Sequence, residues 1–454
     1  MKQQLIGMAS GLVVGLLALV LLLAGPLRQD QNASQSPAAS ASPTTEQTQE
    51  PTEEPTEPEP TLEPCSVSEL EESAGILQLQ AQVIDSSTGT VLFDRSSQVS
   101  ARAASVQKLL TAAVALKVLG PDYTAVTRVY QDKTDKGKIY FVGGGDVTLS
   151  RTTGSKQSVY RNAPKLEVLA ESVLRKLKNQ AVTEIVLDSS LYGGTSGEYQ
   201  SVWDQRGLTD GYMSYVSALQ VDGDRDNPAS LTGARSKDPV GRAGTWFKEA
   251  LGASASGAKL TKGVASADAV EIAQISSRPI SEWIGYMLVV SDNALAESLA
   301  RLVSLDLGLG GTSTSLTDAF KLGLAGTGLD LSSIKIEDGS GLSRYNQISP
   351  DLVNDLLVLI NQPSSEFEIL KSAMPVAGET GSLSGRFVGL EGKVIAKTGW
   401  IRTGYTLAGF VQAADGSELI FTVYNLGDSV GVENREAMDL LVAGFQSCGL
   451  ALTN

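Results

Sequence analysis

The stretch AASVQKLLTAAVALKVLGPD, residues 103–122, decides the fold because it predicts a long helix that is apolar on nearly every side. A helix of this kind is buried, because no face of it suits water. Gly120 and Pro121 end the helix, since glycine suits the C-terminal cap and proline cannot continue it. The sequence therefore predicts a buried helix from about Ala104 to Leu119.

Two polar residues lie in the first turn of this helix. Ser105 and Lys108 are three positions apart, which places a hydroxyl group and an amine on one face. Apolar surroundings and the positive end of the helix dipole both disfavour the charged form of the lysine. A partly neutral amine can take the proton of the serine, so Ser105 is a candidate nucleophile and Lys108 its candidate base. The alternative is a helix N-cap with a solvated lysine, and the same spacing recurs at Ser256 with Lys259.

A second polar group separates two apolar segments at Ser291, Asp292 and Asn293. The run SEWIGYMLVV precedes it and the helical pattern ALAESLARLV follows it. Residues two apart do not share a helix face, so Ser291 and Asn293 converge only if the chain bends between two helices. Taken alone, the group is better explained as a set of helix caps, since Ser, Asp and Asn are the preferred capping residues.

A third motif, Lys397, Thr398 and Gly399, ends the segment GKVIAKTG. The alternating segments YTLAGFVQ and ELIFTVYN follow it and predict a hairpin around Asp415 and Gly416. On a strand edge, a lysine and a hydroxyl group suit a carboxylate, and a glycine allows close approach of the backbone. The alternative is an ordinary edge strand that a charged residue protects from pairing.

The composition excludes several classes of function. The chain has no histidine, and therefore no imidazole to act as a general base, a metal ligand or a member of a serine triad. Two cysteines are too few for a four-thiolate zinc site or an iron–sulfur cluster, and no metal or organic cofactor is implied. A formal net charge of -15 argues against nucleic acid as a partner. A hydrolase of this composition needs a base other than histidine.

The N-terminal region predicts export. Residues 5–25 carry no charge, and as a helix they would be about 30 Å long, enough to span a membrane. We expect an uncleaved signal anchor in residues 1–28, with a cleaved signal peptide as the alternative. Residues 29–64 are rich in Pro, Thr, Ser, Glu and Gln and predict a disordered tether long enough to cross a cell wall.

The two cysteines flank the region that is expected to fold. Cys65 opens this region and Cys448 nearly closes it. Outside the cytoplasm, an isolated pair of cysteines is more often bonded than free, so the sequence predicts a disulfide between the two ends. The alternative is two unrelated buried thiols.

The three motifs in this order, Ser-x-x-Lys, Ser-x-Asn and Lys-Thr-Gly, are far more specific than any one of them. Together with LGPDY, FVGGGDVTL, DGSGLSRYNQISP and MPVAGETGSLSGRF, they resemble the class C low-molecular-mass penicillin-binding proteins, the serine D-Ala-D-Ala carboxypeptidase and endopeptidase family. The resemblance extends from about Cys65 to the end of the chain. It implies an α+β fold in which a penicillin-binding or β-lactamase-like transpeptidase domain, an antiparallel sheet flanked by helices, carries an inserted smaller domain.

The interval between the first two motifs sets the expected domains. It is too long for a connection inside a compact domain, so it must hold a folded insertion. We expect the catalytic domain to comprise residues 65–122 and 280–454, and the inserted domain to comprise residues 123–279. The N-terminal segment, which the resemblance does not include, predicts a bacterial cell-surface location, with the catalytic domain outside and the membrane as a partner through the N-terminal helix, or secretion if that segment is cleaved.

The resemblance further implies acyl transfer on peptidoglycan stem peptides. Ser105 attacks the carbonyl group between two D-alanines, Lys108 is the base, and water hydrolyses the acyl-enzyme. Ser291 and Asn293 relay a proton to the leaving amine and hold the peptide, while Lys397 sets the electrostatics of Ser291. Penicillins and other β-lactams are expected to acylate the same serine as covalent inhibitors.

The resemblance also implies substrate-binding roles for the third motif. Thr398 binds the terminal carboxylate with Gly399 beside it, and the backbone N–H groups of Ser105 and Trp400 form the oxyanion hole. Trp400 departs from the family, which usually has a small hydroxyl residue there, and this departure puts carboxylate recognition in doubt. Thr403 is a candidate substitute.

Two further positions match stretches that line the pocket for the diamino acid of the stem peptide in relatives. These positions are Asp188, which would suit a free amine, and Arg344. A turn aspartate is the alternative for Asp188.

Two other functions remain open from the sequence. A serine β-lactamase shares the three motifs, but it needs a glutamate to activate the deacylating water, and no convincing Glu-x-x-x-Asn follows the second motif. A catalytically impaired relative, with Trp400 closing the site, would only bind peptidoglycan.

Overall fold

The structure, a computed structural model, describes residues 63–178 and 180–454, whose strands form two five-stranded sheets. The strands are β1 (Gln78–Asp85), β2 (Val91–Arg95), β3 (Val126–Gln131), β4 (Lys138–Val142), β5 (Glu184–Asp188), β6 (Lys259–Lys262), β7 (Val270–Ser276), β8 (Val394–Ile401), β9 (Gly404–Gln412) and β10 (Glu418–Leu426). The α-helices are α1 (Ser68–Glu71), α2 (Lys108–Leu119), α3 (Leu166–Leu177), α4 (Pro239–Ala250), α5 (Ile280–Val290), α6 (Asn293–Asp306), α7 (Leu316–Gly323), α8 (Pro350–Asn361), α9 (Ile369–Ser372) and α10 (Val432–Cys448). The predicted membrane segment and nearly all of the predicted tether lie outside the described residues.

The first sheet joins strands from both ends of the described chain. Its order is β2-β1-β10-β9-β8, and every neighbouring pair is antiparallel. The hairpin predicted around Asp415 and Gly416 is present, with β9 and β10 paired from Gly404 opposite Leu426 onward. Both strands are buried along nearly their whole length, because helices cover both faces of the sheet.

One face of this sheet packs against a helical layer around α2. The predicted helix is present as a 3-10 turn, Ala104–Gln107, followed by α2, and it ends at Gly120 with φ +79°. Residues Lys108–Leu116 are all buried, because α5, α6, α7 and α8 surround the apolar faces of α2. The other face packs against α10 through Met438 and Phe445. These layers confirm the predicted α+β class.

The second sheet lies in the segment where an inserted domain is expected. Its order is β6-β5-β4-β3-β7, with β4, β5 and β6 parallel and β3 antiparallel to both of its neighbours. Helices α3 and α4 complete a separate core, in which Phe141 stacks on Phe247 with 4.2 Å between ring centroids. The segment is nevertheless part of one compact unit, Thr61–Asn454.

The two ends of the described chain are linked covalently. Cys65 and Cys448 form a disulfide with a Cα–Cα distance of 5.4 Å, which confirms the predicted pairing. The backbone of Cys65 also pairs with Leu452 in an isolated bridge. Within the described ranges, no helix has both the length and the apolar character that crossing a membrane requires.

Candidate active site

The nucleophile candidate lies where the 3-10 turn becomes α2. Ser105 belongs to the turn and Lys108 is the first residue of the α-helix, so one turn of helix separates them. The distance between Lys108 Nζ and Ser105 Oγ is 2.8 Å. Because α2 is apolar on all sides, its lysine is fully buried. The local sequence therefore places an amine against the serine hydroxyl group, away from bulk water.

Lys108 has two further hydrogen-bond partners. Its Nζ lies 2.7 Å from Asn293 Oδ1 and 2.7 Å from the carbonyl oxygen of Ser340. Burial lowers the pKa of Lys108 to about 7, although the carboxylates of Asp338, Asp292 and Glu297 oppose this shift. The amine is therefore partly neutral at neutral pH. A neutral amine has two N–H donors for Asn293 and Ser340, and its lone pair can accept the hydrogen of Ser105.

The second motif forms the bend that its spacing requires. Helix α5 ends at Val290, Ser291 adopts a left-handed conformation with φ +61°, and α6 begins at Asn293. Asp292 caps α6, because its Oδ1 accepts a hydrogen bond of 2.9 Å from the N–H of Leu295. Ser291 and Asn293 consequently face the same cleft.

The third motif lies on β8, the edge strand beside the nucleophile turn. Lys397 is fully buried and donates to Ser291 Oγ at 3.0 Å and to the carbonyl oxygen of Thr398 at 2.7 Å. Burial, followed by repulsion from Lys108, holds the pKa of Lys397 well below its ordinary value. The alternative of a solvated edge lysine is therefore wrong. Thr398 Oγ1 lies 2.6 Å from Ser382 Oγ, a hydroxyl group that the motifs did not indicate.

A loop at residues 338–343 holds a backbone carbonyl group against Lys108. The Asp338 carboxylate accepts hydrogen bonds from four consecutive backbone N–H groups, those of residues 340–343, and from Trp203 Nε1 at 2.8 Å. This arrangement fixes the carbonyl group of Ser340 toward Lys108. The sequence DGSGLS contributes to the family resemblance, and its one local signal is an aspartate followed by turn residues.

These elements enclose a cleft of about 820 Å³. Its lining contains most of the predicted site residues, namely Ser105, Ser291, Asn293, Arg344, Thr398, Gly399 and Trp400. The indole of Trp400 is 45% exposed and lies at the cleft, so the cleft remains open beside it. Lys108 and Lys397 lie behind the lining, where they contact the two serines.

The cleft is rich in arginine for an acidic protein, although three of its arginines are paired with carboxylates, namely Arg206 with Asp204, Arg386 with Asp439 and Arg435 with Glu436. Its lining contains Arg206, Arg344, Arg386, Arg402 and Arg435. Among the described residues that line it, Asp204 is the only carboxylate, and this group pairs with Arg206 at 3.3 Å. Although the whole chain has a formal net charge of -15, the local field favours anionic ligands.

The structure does not bring Asp188 into this cleft. Its carboxylate is buried at the end of β5 and accepts hydrogen bonds from the N–H groups of Ser190 at 2.9 Å and Ala265 at 2.7 Å. Asp188 therefore has the geometry of a turn aspartate, and its predicted place in the substrate pocket is corrected. Asp204 is the carboxylate that lines the cleft, and no spacing in the sequence indicated it.

A serine in hydrogen-bond contact with a buried lysine, with Ser-x-Asn and Lys-Thr-Gly completing one cleft, is the arrangement of the serine acyl-transfer enzymes that include the penicillin-binding proteins. The sequence matches the D-Ala-D-Ala carboxypeptidase 3 (S13) family over residues 70–230 and 225–444, and the chain belongs to this family. It is a serine-type D-Ala-D-Ala carboxypeptidase of the low-molecular-mass class C penicillin-binding proteins.

Individual relatives agree with this assignment. The chain is 30% identical over 378 residues to the carboxypeptidase DacB of Mycolicibacterium smegmatis, covering 82% of this chain and 81% of that protein. It is 28% identical over 424 residues to the D-alanyl-D-alanine carboxypeptidase of an Actinomadura species, covering 76% and 77%. The fold is similar to that of penicillin-binding protein 4 (dacB) from Haemophilus influenzae, with a TM-score of 0.67, 21% identity, and coverage of 83% of this chain and 99% of that one.

Proposed function

We propose that Ser105 is the nucleophile of the carboxypeptidase reaction and that Lys108 is its general base. The observation that carries this proposal is the set of three oxygen atoms around Lys108 Nζ, all within 2.8 Å. Asn293 and Ser340 use the two N–H bonds of the neutral amine, so the lone pair is directed at the Ser105 hydroxyl group. A base of pKa about 7 is also well matched to proton transfer at neutral pH.

Acylation then proceeds in two stages. Ser105 Oγ attacks the carbonyl carbon between the two D-alanines, its proton passes to Lys108, and the backbone N–H groups of Ser105 and Trp400 hold the oxyanion. When the tetrahedral intermediate collapses, the peptide bond breaks and the leaving amine takes a proton from Ser291, which recovers a proton from the protonated Lys108. The contact from Lys397 to Ser291 Oγ, at 3.0 Å, supports this relay. Water finally hydrolyses the ester and releases the serine.

The substrate proposed for this cleft is the D-Ala-D-Ala end of a peptidoglycan stem peptide. The adjacent hydroxyl groups of Thr398 and Ser382 can both donate to its terminal carboxylate. The arginine-rich lining supports an acidic peptide chain, and exposed Arg344 is suited to a second carboxylate of that chain. Asp204, in place of Asp188, is suited to the free amine of the diamino acid.

The cleft favours a peptidase over a β-lactamase. A class A lactamase uses a free glutamate to activate the water that removes the penicilloyl group. In the described lining the single carboxylate, Asp204, is paired with an arginine. The buried Glu297 is also engaged, because its Oε1 accepts hydrogen bonds from the N–H groups of Gly339 and Ser340. We therefore expect penicillin to acylate the enzyme and to remain bound.

The enzyme is proposed to act outside the cytoplasmic membrane. The uncharged segment at residues 5–25 and the tether that follows support an anchored, exported catalytic domain. The disulfide between Cys65 and Cys448 supports an oxidising compartment. Fractionation of cells that express the full chain, with and without residues 1–28, tests the anchor. Recovery of the full-length, uncleaved protein from the soluble fraction would contradict it.

Acylation by penicillin tests the proposed chemistry. The protein is incubated with benzylpenicillin, and the adduct is located by intact mass and peptide mapping. The expected result is one stable adduct on Ser105 that is absent from Ser105→Ala, together with release of D-alanine from a D-Ala-D-Ala peptide. Rapid turnover of a chromogenic cephalosporin would favour the lactamase. A protein that binds peptidoglycan without acylation would be the impaired relative.

A further inference from the structure

A buried ion pair connects the inserted segment to the second motif. Arg225 Nη2 lies 2.7 Å from Asp292 Oδ2, and both side chains are only 3% exposed. Arg225 Nη1 also donates to the hydroxyl group of Tyr160 at 2.8 Å, and that hydroxyl group donates to Asp292 Oδ2 at 3.2 Å. Arg225 and Tyr160 both belong to residues 123–279, whereas Asp292 belongs to the helical layer. The pair is therefore a contact between the two parts of the protein.

Asp292 is placed to control both of its neighbours. It lies between Ser291 and Asn293, and its Oδ1 caps α6 through the N–H of Leu295. The residue before it is held in a left-handed conformation, which a non-glycine residue adopts only when its surroundings enforce it. One oxygen of the carboxylate thus holds the helix, and the other is held by the inserted segment. Any movement of Asp292 therefore also moves Ser291, which contacts Lys397, and Asn293, which contacts Lys108.

The inserted segment also makes an independent contact with this bend. Asn293 Nδ2 donates to the carbonyl oxygen of Tyr212 at 2.8 Å. An amide that donates on this side presents its oxygen on the other, where Asn293 Oδ1 meets Lys108 Nζ at 2.7 Å. The orientation of the Asn293 amide is therefore set from the inserted segment as well.

We propose that Arg225 is a positioning residue for acylation. It holds the Asp292 carboxylate in place and neutralises its charge. The bend at Ser291–Asn293 then presents its side chains to Lys108, which can act as a base. This inference rests on the proposed roles of Ser105 and Lys108. It gives the inserted segment a part in the chemistry, although Arg225 does not line the cleft.

The charges around Lys108 and Asp292 support this role of Arg225. Asp338, Asp292 and Glu297 all favour the protonated form of Lys108, and the buried Lys397 opposes it. Asp292 faces Arg225, Arg235 and the hydroxyl group of Tyr160. Burial raises the pKa of Asp292, but the charge of Arg225 brings this pKa below its ordinary value.

Without Arg225, the carboxylate of Asp292 loses its closest cation. Arg235, the N–H of Leu295 and the Tyr160 hydroxyl group still favour its ionised form. Its charge is then uncompensated and holds the proton on Lys108 up to a higher pH. A charge of this kind shifts a neighbouring pKa by roughly one unit.

A charge cycle on the full-length protein tests the inference. The rate of benzylpenicillin acylation is measured against pH for the wild type, Arg225→Met, Asp292→Asn and the double variant. Arg225→Met is expected to raise the midpoint of the profile by about one pH unit and to lower the rate at neutral pH about tenfold. Asp292→Asn is expected to lower the midpoint, and the double variant is expected to return it close to the wild-type value.

Two further variants separate positioning from mere stability. Arg225→Lys keeps the charge, so its midpoint should stay within a few tenths of a pH unit of the wild type. Arg128→Met is the matched control, because Arg128 also belongs to the inserted segment and pairs with Glu271 at 3.5 Å, away from Arg225 and Asp292. Its rate and midpoint should equal those of the wild type.

The cycle distinguishes two failures. If Arg225→Met lowers the rate and the melting temperature but leaves the midpoint unchanged, Arg225 is only structural and the inference is wrong. The same conclusion follows if Arg225→Met does not fold and Asp292→Asn leaves the midpoint unchanged. If the wild type itself is not acylated on Ser105, the proposed function fails instead.

Discussion

Gly399 approaches Ser105 so closely that a Cβ atom on Gly399 would lie 2.9 Å from the backbone nitrogen of Ser105. The same Cβ would overlap Thr406 Oγ1, which donates to the carbonyl oxygen of Ala103 at 2.7 Å. Strand β8 therefore lies directly against the backbone of the nucleophile turn. The glycine of the third motif is required by this packing, before any contact with substrate is considered.

Gly399→Ala should separate β8 from the nucleophile turn. Because a displacement of about 1 Å in an active site costs on the order of a hundredfold in rate, we expect penicillin acylation to fall by about that factor. The measurement is the second-order rate constant, with circular dichroism to verify the fold. Gly285→Ala is the control, since a Cβ there meets no atom within 4 Å and alanine favours a helix. Acylation of Gly399→Ala at the wild-type rate would contradict the packing argument.

The pH dependence of acylation should follow Lys108. Burial lowers the pKa of this amine to about 7, and only its neutral form accepts the serine proton. The rate should therefore be low in acid, rise through about pH 7 and level off above it. Lys108→Arg should be inactive at every pH in this range, because a guanidinium group stays protonated. A rate that does not change with pH in the wild type would contradict Lys108 as the base.

Glu297 should make the protein less stable as the pH rises. Burial, followed by the charge of Asp338, raises the pKa of Glu297 from 4.5 to about 8. Between these values the folded state keeps the proton and the unfolded state releases it, so the free energy of unfolding decreases with rising pH. Glu297→Gln retains the acceptor for Gly339 and Ser340 and lacks the titration, so its stability should depend less on pH.

Thermal unfolding measured across the window from about pH 5 to about pH 8 tests this linkage. The matched control is Glu249→Gln, which removes an exposed glutamate on α4. The control should follow the wild-type dependence. If the stability of Glu297→Gln and that of the wild type change equally with pH, Glu297 has the same pKa in the folded and unfolded states.

Trp400 should affect acylation mainly through its backbone. Its N–H group is proposed for the oxyanion hole, and its side chain lies 45% exposed at the cleft. Trp400→Ala keeps the N–H group, so the penicillin acylation rate should stay within about threefold of the wild type. The acylation rate of Trp400→Thr should exceed that of Trp400→Ala, because a second hydroxyl group beside Thr398 can donate to the carboxylate of penicillin. A loss of about a hundredfold in Trp400→Ala would show that the indole itself positions the substrate.

The sequence predicted the parts of the site that depend on local spacing. Three residues along a helix bring Ser105 to Lys108, and two residues between helices require the bend at Ser291. It could not predict partners that are distant in the chain. The carbonyl oxygen of Ser340 and the guanidinium group of Arg225 reach the site only through packing, and neither belongs to the Ser-x-x-Lys, Ser-x-Asn or Lys-Thr-Gly motif.

The prediction for Asp188 failed for the opposite reason. A stretch that matched the family suggested a substrate contact, but an aspartate followed by two serines also satisfies a local turn, and this turn is what the structure contains. The order of the strands in the second sheet was likewise beyond the sequence, because parallel and antiparallel pairing depends on long-range contacts.

Removing the disulfide should lower stability without removing activity. Cys65 and Cys448 are separated by 383 residues, and closing a loop of this length stabilises a protein by about 6 kcal/mol in the chain-entropy model, against about 2–4 kcal/mol for a typical disulfide. Neither cysteine lines the cleft. The double variant Cys65→Ala/Cys448→Ala should therefore unfold at a lower urea concentration and still acylate at the wild-type rate at 25 °C. Wild-type protein treated with reductant should show the same loss of stability. An unchanged unfolding midpoint in the double variant would show that the disulfide does not stabilise the protein.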